Sequence, residues 1–193
     1  MGRYTGPVCR LCRRAGEKLL LKGERCFTPR CAVDRRRTVP GEHANRRRRI
    51  SDHGVQLKEK QKARNIYGIL EKQFRIYMEE AFNSPNATGP HLLHILETRL
   101  DNVVFRLGFA DSRRQARQLV SHGHFQIGGR KTDIPSYRVR SEDIITWKES
   151  DLERDYVKVL TKDLPKKPVP EWIALNVSTL SATVLRLPHE DEL

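Results

Sequence analysis

All four cysteines of this 193-residue chain fall within its first 31 residues, as Cys9, Cys12, Cys26 and Cys31 in the spacing C-x2-C-x13-C-x4-C. Two close pairs separated by a short loop can set four thiolates tetrahedrally around one metal ion, which restricts how the chain between them can run. Zn²⁺ is the first expectation, because it suits sulfur and needs no redox chemistry. An iron–sulfur cluster uses the same four ligands, and spacing alone does not separate the two. Four protein ligands leave no open position, so the site reads as structural, and hydrolysis at the metal is excluded. Arg10, Arg13, Arg14 and Arg25 lie close in sequence, where they would favour thiolates and offset the charge of a tetrathiolate site. Free thiols or disulfides are the competing reading. The start MGRYTGPVCR has no apolar signal core, so a reducing cytosol is expected and disulfides are disfavoured.

The segment that carries these cysteines is poor in apolar periodicity and rich in charge. Residues 1–50 hold 15 Lys and Arg against 4 Asp and Glu, a net of +11, while 51–100 carry +1, 101–150 carry +3 and 151–193 carry −2, for a total of +13. Such an excess cannot be neutralised internally, and release of counterions from nucleic acid is the usual source of its affinity. A membrane is a poor partner for this segment, which lacks an amphipathic apolar face; no run of about 18 apolar residues occurs in the chain. Residues 1–50 therefore read as a basic extension ordered by its metal. Arg10, Arg13 and Arg14, the run Arg35, Arg36 and Arg37, and the run Arg46, Arg47, Arg48 and Arg49 are its candidate RNA contacts.

The remainder has enough Leu, Ile and Val to fold. Ser51-Asp52 suits a helix N-cap, and Ile66, Leu70, Phe74, Tyr77 and Ala81 recur at helical intervals, predicting one helix to about Phe82. Lys58, Lys62, Arg64 and Lys72 form its charged face, the first three as candidate RNA contacts. Residues 83–90 are loop-like. A second apolar helix carries Leu92, Leu96, Leu100, Val103 and Leu107 and is ended by Gly108. Ser112 caps a short helix over 113–121 that turns Ala116, Leu119 and Val120 inward and Arg113, Arg114 and Arg117 outward, with Gly123 as terminator. Phe125-Gln126-Ile127 leads into a Gly128-Gly129 turn, Ile144–Trp147 reads as a strand, and two strand-like runs follow a Pro-rich link, near 172–175 and 183–187.

The stretch TRLDNVVFRLGFADSRRQARQLVSHGHFQIGGRKTDIPSYRV closely resembles the S-four RNA-binding domain. That resemblance implies two helices and a small curled sheet, with RNA faced by Ser112, Arg113, Gln115, Ala116 and Arg117, then His122, Gly123 and His124, then Lys131, Tyr137 and Arg138. Independently, Arg113 and Arg117 are one helical turn apart with Arg114 beside them, a spacing that can track phosphates. The segments HGVQLKEKQKARNIYGILEKQFRIYMEEAF, PEWIALN and VLRLPHEDEL extend the likeness, so nearly the whole chain resembles the family of bacterial small-subunit ribosomal protein four, in its cysteine-bearing form. Leu180-Ser181-Ala182-Thr183 departs from the family by standing where a glycine turn is expected.

The implied fold class is α+β: a helical domain with an inserted S-four-type RNA-binding domain, helices packed on a small antiparallel sheet, plus the metal-bound extension. Its parts would be 1–50, then 51–89 joined by about 170–193, with 90–169 as the inserted domain. The resemblance further implies early binding to small-subunit ribosomal RNA, contact with neighbouring proteins including small-subunit protein five, a place where messenger RNA enters, an influence on decoding accuracy, and residence in the cytoplasmic ribosome.

Two other functions compete. Pseudouridine synthases can carry the same RNA-binding unit and a catalytic aspartate in Arg-Leu-Asp, and Arg99-Leu100-Asp101 is present here. Yet it sits inside the apolar helix of the RNA-binding unit, no Thr-Ser-Gly follows, and the remaining chain is too short for a synthase domain, so no enzyme is expected. The other is a free-standing RNA chaperone bearing this unit, which the whole-chain likeness disfavours.

Overall fold

A computed structural model describes residues 2–36, 38–41, 50–164, 167–189 and 192. The chain divides into two compact units, residues 1–76 and 77–193.

In the first unit, helix α1 (Cys9–Ala15) is followed by a 3-10 turn over Gly23–Phe27 and a single helical turn, α2 (Ala32–Arg35). Helix α3 (Asp52–Ile66) opens as its sequence suggests, with the Gly54 N–H donating to Ser51 Oγ at 3.3 Å. The apolar centre is small: Cys12, Ala15 and Leu19, with Leu21, Val33 and Ile66 packed against them. Charge pairs supplement it. Lys62 bridges Glu17 at 3.1 Å and Glu59 at 2.7 Å, and Lys18 meets Asp34 at 2.7 Å. The helix does not continue to Phe82. It stops at Ile66, and α4 (Glu71–Phe82) begins afresh, because Gly68 between them takes φ +65°, a left-handed conformation that breaks the backbone ladder.

The second unit has a larger core. Helices α5 (Thr88–Glu97), α6 (Leu100–Arg106) and α7 (Arg113–Ser121) are followed by strands β1 (Phe125–Ile127), β2 (Arg130–Thr132) and β3 (Ile144–Trp147). After helix α8 (Asp155–Asp163) come β4 (Ile173–Asn176) and β5 (Ser181–Val184). One antiparallel sheet takes all five strands in the order β2-β1-β3-β5-β4. Leu100, Val103, Val104, Leu107, Phe109, Phe125, Ile145, Trp147 and Trp172 are buried in one cluster between helices and sheet.

Three departures from the sequence reading stand out. The tail strands, expected to complete a domain with residues 51–89, join β3 of the expected insert, β5 pairing with it and β4 with β5. They extend the sheet of the RNA-binding unit, because Ala182 and Val184 alternate inward onto the same core as Ile145. The apolar run 92–107 is two helices rather than one, since Arg99 adopts an extended backbone and bridges Arg138. Helix α8 has no counterpart among the expected elements: Val157, Leu160 and Leu164 give it an apolar stripe, but charges separate them. The missing glycine in the tail hairpin is absorbed locally. Leu180 takes φ +49°, while Asn176 Oδ1 accepts from Ser178 N at 3.1 Å, from Ser178 Oγ at 2.6 Å and from Thr179 N at 3.4 Å.

Candidate RNA interface and cysteine pocket

The cysteine spacing brings the four side chains together. Cys9, Cys12, Cys26 and Cys31 line one small pocket with Val8, Leu21, Val33 and Arg25, and none is in a disulfide. Helix α1 supplies the first pair, the 3-10 turn supplies Cys26, and Cys31 precedes α2. The Lys22 N–H donates to Cys26 Sγ at 3.3 Å. Burial pushes the Cys12 thiol up; a backbone hydrogen bond from Leu19 opposes this, and the charges of Cys26, Cys9 and Cys31 add to it. Among the described residues no three His, Cys, Asp or Glu side chains are spaced to hold a metal ion as they stand.

Several arginines of the first unit face water. Arg10, Arg14, Arg25, Arg30, Arg35 and Arg36 are exposed and have no side-chain hydrogen bond or ion pair among the described residues. Arg13 donates to the Thr38 carbonyl at 3.0 Å. Lys58 is half-buried, Lys62 is committed to Glu17 and Glu59, and Arg64 pairs with Glu71 at 3.4 Å, so the expected charged face of α3 is largely spent on its own unit. Arg37, Arg46, Arg47, Arg48 and Arg49 lie outside the described residues.

The second unit reverses this arrangement. Arg99, 2% exposed, donates through Nε and Nη2 to both oxygens of Asp101 at 3.0 and 2.7 Å and through Nη1 to Tyr77 Oη at 2.6 Å. Burial works against its charge, but Asp101 and then Tyr77 outweigh that and hold it above its ordinary value. Asp101, 4% exposed, also accepts from Arg117 at 2.9 Å. Beside it, buried Glu97 accepts from Arg106 at 2.7 and 2.9 Å and from Asn102 at 2.6 Å. Arg113 donates to Asn102 Oδ1 at 2.7 Å and lies over the Phe105 ring at 4.6 Å.

The outward reading of Arg113 and Arg117 is therefore corrected: α7 uses both to clamp α6, because α6 carries Asp101 and Asn102 on its buried face. Arg114 between them is exposed. Asp101, the residue of the Arg-Leu-Asp triplet, is committed to this clamp.

Most of the other positions implied by the resemblance also do structural work. Ser112 Oγ accepts from the Gln115 N–H at 3.3 Å, and Gln115 accepts from Asp111 N at 2.9 Å and donates to Tyr156 Oη at 3.1 Å. Burial pushes the Tyr156 phenol up to about 12. His124 Nδ1 lies 2.7 Å from Asp151, whereas His122 is exposed. Tyr137 donates to Asp143 at 3.2 Å, and its carbonyl accepts from Leu100 N at 2.8 Å. Arg138 forms a two-bond pair with Glu80 and lies over the Tyr77 ring at 5.2 Å. Lys131 is exposed and its side chain passes over Gly123, whose φ of +73° favours glycine there. The exposed basic side chains of this unit include Arg114, His122, Arg130 and Lys131.

Residues 3–97 match the family described as Ribosomal protein S4/S9 N-terminal domain, and residues 98–145 match the S4 domain. Over its full length the chain is 55% identical to the small ribosomal subunit protein uS4 of Heliobacterium modesticaldum, covering 93% of that protein. The chain belongs to the uS4 family. With the same coverage it is 51% identical to uS4 of Pelotomaculum thermopropionicum and 53% identical to that of Thermus thermophilus. In this uS4 chain, sequence reasoning missed Arg99 and Glu97 as organisers of the RNA-binding unit. The available signal was an acid and a basic residue inside an apolar run, where charge persists only when paired.

Proposed function

We propose that this chain is a structural component of the small ribosomal subunit that binds small-subunit ribosomal RNA directly and early in assembly. Full-length identity to proteins named small ribosomal subunit protein uS4 is the observation that carries this reading. The exposed, unneutralised cations of residues 1–76 supply attraction to phosphates, and the clamped helices of the second unit supply a fixed shape that meets RNA through Arg114, His122, Arg130 and Lys131. The family is structural and the chain works without catalysis, in the cytoplasmic ribosome. Its neighbours there include small-subunit protein five and messenger RNA near the point where the message enters, and through them it influences decoding accuracy.

The same reading assigns Zn²⁺ to Cys9, Cys12, Cys26 and Cys31. Support comes from the four thiols sharing one pocket. An iron–sulfur cluster is the alternative occupant, and visible absorbance distinguishes it.

The test is titration of the metal-loaded chain against small-subunit ribosomal RNA at physiological salt with transfer RNA as competitor. One-to-one binding that survives the competitor is expected. Arg10→Ala with Arg14→Ala should make the salt dependence shallower, by roughly 0.7 to 0.9 in slope for each phosphate these side chains neutralise. Binding erased by the competitor would leave a basic RNA-adhering protein and return the chaperone reading.

A further inference from the structure

The most exposed large apolar side chain among the described residues is Phe27, with 75% of its surface in water, although its neighbour Cys26 is buried in the cysteine pocket. The backbone around it is tied on both sides. Lys22 N donates to Cys26 Sγ at 3.3 Å, Thr28 donates to the Arg25 carbonyl through N at 3.4 Å and Oγ1 at 3.0 Å, and Cys31 N donates to the Thr28 carbonyl at 3.0 Å. The side chain that follows inward-facing Cys26 therefore projects from a fixed turn.

A single exposed apolar residue is ordinary; its surroundings set this one apart. Arg25 and Arg30 flank it, both exposed and without a side-chain partner among the described residues, and the run 25–33 contains no acid. A partner that covered Phe27 with apolar surface alone would strand these two charges. Nucleic acid supplies both a flat π face and phosphates, so it satisfies ring and guanidinium groups together.

We propose that Phe27 is a stacking platform for an unstacked base of RNA, with Arg25 and Arg30 holding the adjoining phosphates. This deepens the ribosomal reading and rests on it. The interaction is tolerant of base identity, since every base has a π face, and it adds affinity without neutralising further phosphates.

The experiment titrates the full metal-loaded chain and its F27A, F27L and F27W variants with small-subunit ribosomal RNA at several salt concentrations. Removal of one stacked base should weaken binding roughly 5- to 100-fold with no change in salt slope. F27L should lose as much as F27A, because it keeps apolar bulk but no π face. F27W should bind at least as well as the unsubstituted chain, and its emission should be quenched on binding; the native Trp147 and Trp172 are buried and provide the background. Unchanged affinity of F27A, retained affinity of F27L, or unquenched F27W in the bound complex each overturns the platform while leaving the ribosomal reading intact. Failure of the unsubstituted chain to bind specifically overturns that reading, and the platform with it.

Discussion

Residues 1–76 carry 21 Lys and Arg against 7 Asp and Glu, a net of +14, whereas residues 77–193 carry 16 against 17, a net of −1. Both parts belong to a chain similar throughout to RNA-associated proteins, yet only one has charge to spare. The first unit leaves arginines in water around a small core of Cys12, Ala15 and Leu19. The second draws Arg99, Arg106, Arg113, Arg117 and Arg138 onto Asp101, Glu97 and Glu80. Arginine content is thus a poor guide to RNA contact, because the same residue type stands exposed in one place and builds the fold in the other. Which it does depends on whether a carboxylate is buried within reach.

The largest expected effect concerns the weaker core. If a metal at the four cysteines orders the first unit, chelation should remove the dispersed amide resonances of residues 2–36 while those of β1–β5 stay in place, since a site of this kind supplies most of the folding free energy of so small a core. Unchanged amide spectra for 2–36 would break the contrast between a metal-ordered unit and a self-sufficient one. Next in size is Asp101→Ala, which removes the buried carboxylate that Arg99 and Arg117 share and leaves a void beside them. It should cost about 3–5 kcal/mol in denaturant unfolding of the second unit. A loss near zero would mean that the paired arginines merely decorate the fold.

The smallest effect is at the tail, where Glu192 accepts from Arg186 at 2.6 and 2.7 Å and from His189 N at 2.9 Å. The Arg186 pairing, then the His189 hydrogen bond, lower its carboxyl to about 2. A lowered carboxylate stabilises the fold fully above the ordinary glutamate range, and the contribution is lost as pH falls toward 2. A carboxyl chemical-shift titration with its midpoint near the ordinary glutamate value would show the clamp open in solution.

Much of the architecture was legible because local chemistry decided it. Ser112 and Gly123 bracket α7 where capping and left-handed preferences put them, and Ile144–Trp147 forms the strand its β-branched and aromatic residues favour. The cysteines could be gathered from spacing alone. What escaped was settled by contacts distant in sequence. The strand run at 181–184 declares that it is a strand but not whose, and its neighbour β3 is chosen by a core in which Ala182 meets Ile145. The inward turn of Arg117 likewise depends on Asp101, 16 residues earlier, which helical periodicity assigns only to an apolar face.

The order β2-β1-β3-β5-β4 has a consequence for how such a chain is made. Residues 125–147 are synthesised first and can pair as three strands, but β3 then has an open edge where β5 will later sit. That edge stays open until residues 181–184, more than thirty positions later, emerge and close it. During this interval the nascent protein presents unpaired N–H and C=O groups of the kind that recruit foreign strands. The finished sheet buries β5 between β3 and β4, so a strand made after both of its partners in the sheet seals the edge that β3 leaves open.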